Sequence, residues 1–200
     1  MNCNFEEALK LRRSYYVIGR DISVPDGVIK GILERALTYV PSAFNSQTTR
    51  LVLLLGKAHT CLWQMVKDVL REQISSDVFM KSARKIDTSF AAGYGSVLFW
   101  EDMAAVEALQ AAYPLYADRF PVWAQHTSAM HQFVVWTMLE RVGLGASLQH
   151  YNPLIDDRVR AEWQLPATWQ LIAQMPFGKP LREPGKKEIL PLDTRLKIFR

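Results

Sequence analysis

Cysteine is nearly absent: Cys3 and Cys61 are the only two in 200 residues, and their separation fits no metal or redox spacing. A disulfide framework, a zinc ribbon and a CxxC redox motif are thereby excluded, and both residues read as ordinary thiols. Histidine is equally sparse. The nearest pair among His59, His126, His131 and His150 stands five residues apart, not at the four-residue spacing that aligns two ligands on a helix, which argues against a metal centre. There is no GxSxG nucleophile turn, no Walker-type loop and no GxGxxG, and "GYG" and "GLG" are too short to cradle a phosphate. The apolar stretch "TSFAAGYGSVLFW" is shorter than the ~20 residues of a membrane-spanning helix and is broken by glycine, so no membrane association is expected. The opening "MNCNFEEALK" carries acids where a secretory signal has a basic and then an apolar segment, which makes the cytoplasm the expected compartment.

What is present suits one globular domain spanning residues 1–200: 49% of the chain is hydrophobic, enough for a substantial core. The net charge of +4 is unevenly placed. Residues 177–200 hold seven Lys/Arg against three acids, and the other 17 basic and 17 acidic residues cancel. This Pro/Gly-punctuated basic arm could meet an anionic ligand, a nucleic acid or only solvent, and taken alone it favours solvent.

Asn4 followed by Glu7 reads as a capping box opening a helix that runs to about Leu11. "SVPDGVIKGILERALTYVP" carries Val28, Ile29, Ile32, Leu33, Ala36 and Leu37 at helical spacing and stops at Pro41. "RLVLLLG" and "GSVLFW" read as buried strands, with the helix "TCLWQMVKDVLREQI" between them. A helix from Asp102 closes at Pro114, and "PVWAQHTSAMHQFVVWTMLERVG" is the longest helix candidate, nearly apolar in its second half. "GASLQHY" is expected as a third strand, "PLIDDRVRAEWQL" as a short helix and "WQLIAQMPFG" as a fourth strand. Strands and helices interleave without a strict βαβ rhythm, so an α+β layered fold is expected, not a doubly wound sheet.

Outside the helices, three segments concentrate anion-binding and amide groups. "RRSYY" sets two guanidinium forks and a hydroxyl at the end of the first helix, where paired N–H donors can hold a phosphate; a solvated basic turn is the alternative. "PSAFNSQTTR" puts Asn45 and Gln47 at alternate positions of a segment expected to be extended, so both amides could face one heteroaromatic edge, or merely cap a loop. "EPGKKE" adds Lys186 and Lys187 within the basic arm.

The order of these segments carries a resemblance. A short helix followed by RRSxY, then PSAFNSQ, an apolar strand, GLGASLQHYNP after the long helix, QMPFGKP and a basic tail together resemble the nitroreductase superfamily of FMN-dependent oxidoreductases. More narrowly, the chain is similar to the small subgroup that includes the fungal fatty acid repression mutant nitroreductases and bacterial relatives, over residues 5–199. The resemblance implies a central, mostly antiparallel sheet flanked by helices, in a homodimer with the flavin at the subunit interface. It implies that Arg12, Arg13 and Ser14 meet the FMN phosphate and ribityl chain with Tyr16 close by, and that Lys186 or Lys187 is a late basic partner to that phosphate. Asn45 and Gln47 then lie near the isoalloxazine and ribityl groups, and Leu148, Gln149 and His150 beside the ring. Larger relatives have a Pro-x-Glu-Gly stretch there, whose glutamate this chain lacks. Phe120 and Trp123, in "DRFPVWAQ", are candidates for the wall of the acceptor pocket. The implied activity takes a hydride from NADH or NADPH and passes it, by a ping-pong mechanism, to nitroaromatics, quinones or similar small electron acceptors, without a catalytic side chain and without nucleic acid. Two rivals remain at this level: a flavin-binding storage or regulatory protein, and a non-flavin binding protein that uses the basic arm.

Overall fold

In the computed structural model, which describes residues 4–200, the capping box is formed. Asn4 Oδ1 accepts from the Glu7 N–H at 2.9 Å, and Glu7 Oε2 accepts from the Asn4 N–H at 3.0 Å, opening α1 (Phe5–Leu11). There follow β1 (Ile18–Gly19), α2 (Asp26–Tyr39), β2 (Thr49–Leu55), α3 (Gly56–Gln73), α4 (Ser76–Ser89), β3 (Gly95–Asp102) and α5 (Met103–Ala112). The chain continues through α6 (Phe120–Arg141), β4 (Gly145–Ala146), α7 (Asp156–Glu162) and β5 (Trp169–Pro180). Cys3 lies outside the described residues; Cys61 is a partly exposed free thiol.

The strands run β1-β5-β3-β2, with β4 also paired to β5, and every pairing is antiparallel. The fold is therefore the expected α+β layered one. Alternation along β3 sends Val97 and Phe99 to one face, where they meet Ile29, Ile32 and Ala36 of α2 and Val135 and Leu139 of α6. Leu98 and Trp100 point to the other face, against Leu62, Trp63 and Val66 of α3, Ile86 of α4 and Val159 of α7. Covering both faces with helices is what buries β3 on both sides from Gly95 to Glu101. Among the described residues, no helix is long and apolar enough to cross a membrane.

Five elements depart from expectation, the two-residue β1 among them, since no strand is expected over residues 18–19. At Gly56, φ is +54°, a conformation that lets β2 turn directly into α3, so that helix starts earlier than its apolar periodicity indicates. No element is expected over α4, because its only fully buried residue is Ile86 and its apolar signal is thin. The strand expected over 145–151 shrinks to two residues plus a bridge from Gln149 to Gln174. Opposite Ser147 stands Pro176, whose carbonyl accepts the Ser147 N–H at 3.2 Å but which has no N–H to return, so the ladder breaks. Finally, β5 continues to Pro180 and pairs there with β1, so residues 177–180 of the basic arm are strand.

Ser96 anchors the buried end of β3. The Trp63 indole N–H donates to Ser96 Oγ at 3.1 Å, and the hydroxyl in turn lies 3.0 Å from His59 Nδ1. Burial pushes His59 down to about 4, so the ring is neutral and Nδ1 can accept. Ser96→Ala leaves the Trp63 N–H and the His59 ring nitrogen without this partner, and is expected to cost about 1–3 kcal/mol. A shift of the urea midpoint at unchanged slope checks this; an unmoved midpoint contradicts it.

Candidate functional site

The chain leaves α1 at Arg12 (φ −56°, ψ 109°), and "RRSYY" is laid beside β4 as an extended segment. Ser14 forms a parallel bridge with Ala146, and the Tyr15 N–H donates to the Ala146 carbonyl at 3.0 Å. The segment is therefore not a solvated turn. The Arg12 guanidinium sits over the Trp136 ring of α6, 4.5 Å from its centroid. Its Nε is shielded from solvent and has no hydrogen-bond partner among the described residues. Arg13 donates to the Gly185 carbonyl at 2.6 Å, and the Leu181 N–H to the Val17 carbonyl at 2.9 Å, so the arm runs back along the N-terminal segment.

Between these two stretches lies a crevice of about 600 Å³, lined by Arg13, Ser14, Tyr16, Arg182, Glu183 and Lys186, among others. Of the lysine pair, Lys186 lines this crevice and Lys187 does not. Burial, followed by the like charge of Arg13, lowers the Arg12 pKa, while Glu140 opposes the shift. Burial raises Glu140 to about 7, and Glu183 adds to that shift. A half-buried cation with an unbonded N–H, next in the chain to a crevice carrying three more cations, is suited to an organic phosphate.

The segment 147–151 is clamped to β5. The Gln149 N–H donates to the Gln174 carbonyl at 2.7 Å, and the Gln174 N–H returns the bond at 2.9 Å. The fully buried Gln174 amide accepts from the Tyr151 N–H at 2.7 Å and donates to Asn152 Oδ1 at 3.1 Å. Leu148 packs into the core beneath α2 and α6, the Gln149 amide donates to Ser147 Oγ at 3.1 Å, and His150 is exposed. Through Ala146, this segment adjoins Arg12–Ser14.

The expected extended path through Asn45 and Gln47 is not what forms. Residues 43–45 make one turn of 3-10 helix, and Phe44, Asn45 and Gln47 have φ of 56°, 51° and 47°. The chain must reverse between Pro41 and β2, and Ser42 Oγ stabilises the reversal by accepting the Gln47 N–H at 3.0 Å. Asparagine tolerates such a φ; phenylalanine there costs of order 1–3 kcal/mol. Aromatic contacts offset that cost, since the Phe44 ring lies 4.9 Å from Tyr113, 5.3 Å from Phe120 and 5.8 Å from Trp123, nearly parallel to the last. Phe120 is only 3% exposed and packs with Val106 and Ala124. Trp123 is half-buried under Phe44, and Phe44 is the more open ring.

One chain does not bring the two groups of residues together. Phe44 meets α6 at Trp123 and Arg12 meets it at Trp136, thirteen residues on, which is about 20 Å at 1.5 Å per residue. The sheet gives the same answer, since Thr49 pairs across Glu101 towards Gln170 while Ala146 pairs with Phe177. Between the two ends, α2 and α6 leave an apolar groove of about 340 Å³, lined by Tyr39, Val40, Met130, Phe133, Val134 and Met138, among others. The arm beyond Lys187 exposes Ile189, Leu190, Leu192, Leu196, Ile198 and Phe199.

Residues 9–179 match the sequence pattern described as the Nitroreductase family. HBN1 of Saccharomyces cerevisiae is 34% identical over 192 residues, covering 95% of each chain. The nitroreductase CinD of Lactococcus lactis, solved in complex with chloramphenicol, is 40% identical with a TM-score of 0.90, covering 98% of this chain and 100% of CinD; it has also been solved with 4-nitrophenol and with nicotinic acid. At 19% identity, a Desulfovibrio desulfuricans protein in complex with FMN shares the fold, with a TM-score of 0.69 and 98% of both chains covered.

Proposed function

The chain belongs to the nitroreductase family of oxidoreductases, and from that premise we propose that it is a homodimeric, FMN-dependent enzyme that uses NADH or NADPH to reduce nitroaromatics, quinones or similar electron-poor acceptors. One observation carries the reading: Arg12, half-buried on Trp136 with its Nε unbonded, stands beside the crevice of Arg13, Ser14 and Lys186. In this assignment Arg12, Arg13 and Lys186 hold the FMN phosphate, Ser14 and Tyr16 border the ribityl chain, and the Leu148–His150 segment flanks the ring. The FMN complex of the Desulfovibrio protein and the chloramphenicol and 4-nitrophenol complexes of CinD support the cofactor and the acceptor class.

The whole chain acts as one unit, and two copies complete each site. Apposing the apolar α2–α6 faces across a twofold axis lets Asn45 and Gln47 of one protomer approach Arg12–Ser14 of its partner. The same packing covers Met130 and Phe133, and gives the apolar residues of the arm a surface to lie on. Nothing in this arrangement spans a membrane or recruits nucleic acid, and the cytoplasm is the assigned compartment.

FMN, when bound, supplies the hydride chemistry. The protein's part is to bind, orient and exclude. Gln174 locks the backbone of 149–152 so that the segment keeps its position beside the ring. The open aromatic face of Phe44 and Trp123 offers flat acceptors a stacking surface. Steady-state rates measured at several NADH or NADPH concentrations against a nitroaromatic are expected to give parallel double-reciprocal lines, the pattern of one site serving two substrates in turn. Intersecting lines contradict that part of the assignment.

His150 is exposed at the end of the clamped segment, so its side chain is not required to fix the backbone. His150→Asn is expected to keep its FMN and most of its turnover, with a nearly unchanged pH profile. Loss of about two orders of magnitude in flavin-replete protein would instead make His150 the proton donor to the acceptor.

A further inference from the structure

Glu140 lies four residues beyond Trp136 on α6, on the helix face that carries the Arg12 guanidinium. Its Oε2 is shielded from solvent and, like Arg12 Nε, has no hydrogen-bond partner among the described residues, although the two groups act on each other electrostatically. Arg13 and Tyr15 face this cluster from the segment after α1, and Glu183 faces it from the arm; the Tyr15 O–H donates to Glu183 Oε2 at 3.5 Å. A half-buried arginine close to a buried carboxylate, yet not bonded to it through these atoms, is an arginine kept available for a different anion.

Resting on the assignment of the crevice to the FMN phosphate, we propose that Glu140 is the proton-linked counter-group of that site. Neutral Glu140 leaves Arg12 to the phosphate, whereas ionised Glu140 attracts Arg12 and repels the phosphate. Burial, the two acids and its bond to Glu183 push Tyr15 up to about 12. Burial first, and Glu183 second, hold Glu140 at about 7 in the free protein, against the opposing pull of Arg12. A phosphate on Arg12 cancels that pull and adds negative charge, so the bound state has the higher Glu140 pKa and takes up a proton.

FMN affinity is greatest below the free-protein value of about 7 and declines as pH rises through it, by up to about tenfold per pH unit for one proton. The phosphate's own second ionisation, near pH ~6, works in the opposite direction and is nearly complete before the decline begins.

The test is the dissociation constant of FMN, read by flavin fluorescence quenching from about pH 6.5 to about pH 8.5, for the full-length protein, Glu140→Gln and Glu183→Gln, with riboflavin as the phosphate-free probe. The wild-type protein is expected to lose about tenfold in FMN affinity across the upper part of this range, while Glu140→Gln stays flat there and riboflavin affinity stays flat in both. In Glu183→Gln the decline should begin at lower pH, because the charge that raises Glu140 is gone; this variant carries the test even where Glu140→Gln fails to fold. An equal slope in wild type and Glu140→Gln, an unmoved decline in Glu183→Gln, or the same slope with riboflavin would overturn the proposal while leaving the flavin site standing. Failure of the wild-type protein to bind FMN at any pH would remove the site and the proposal together.

Discussion

Arg12→Ala combined with Arg13→Ala is expected to yield a folded protein that purifies almost without flavin. Each charge-assisted contact to a phosphate contributes about 1.5–3 kcal/mol, so losing both weakens FMN binding by about 10²–10⁴-fold. The effect is not one of general positive charge, because the exposed end of the arm keeps Arg195, Lys197 and Arg200. Arg12 also packs on Trp136, and its removal costs some stability through the lost ring contact. The Arg13→Ala single variant separates the effects: it leaves the Trp136 contact intact and removes the fork that holds Gly185. Thermal melts establish folding and fluorescence titration the affinity. Undiminished FMN retention at low flavin concentration contradicts the phosphate assignment.

A charge placed on the α2–α6 groove is expected to have an equally large effect by a different route. Phe133→Asp leaves Arg12, Arg13, Ser14 and Lys186 unaltered, because Phe133 lines the groove and not the crevice. An isolated carboxylate buried at a subunit interface costs several kcal/mol, enough to split a dimer at micromolar concentration. Sedimentation should show a monomer, and flavin should be lost with the dimer although Arg12, Arg13 and Lys186 are all present. A monomer that keeps its FMN contradicts the two-copy site; an unchanged dimer means that the α2–α6 face is not the interface.

The fold class and the ordered segments were legible because they rest on short-range patterns: the Asn4–Glu7 box, the helical spacing in α2, and the two arginines at a helix end. Geometry set by distant parts of the chain was not. No periodicity reports that Phe44, Asn45 and Gln47 take positive φ, since the reversal is imposed by Pro41 on one side and the β2 register on the other. Nor does the sequence report that Phe120, a candidate for the pocket wall, is enclosed by Phe44, Tyr113, Val106 and Ala124. Gln174 sits in an apolar run where a buried amide signals a backbone clamp only once Gln149 and Tyr151 are seen to lie against it. Glu140 had a signal in the sequence, as the first acid after the nearly uncharged "FVVWTML". It reads as a helix terminus until Arg12, 128 positions earlier, is found beside it.

The claim that this chain binds FMN and reduces it with a nicotinamide is tested most directly by the visible spectrum of the FMN-reconstituted protein, titrated with NADH and with NADPH in the absence of oxygen. Flavin absorbance is expected to co-elute with the protein, to bleach with at least one of the two nicotinamides, and to return when a nitroaromatic or a quinone is added. A protein that stays colourless after reconstitution, or one whose bound flavin neither nicotinamide bleaches, would contradict it.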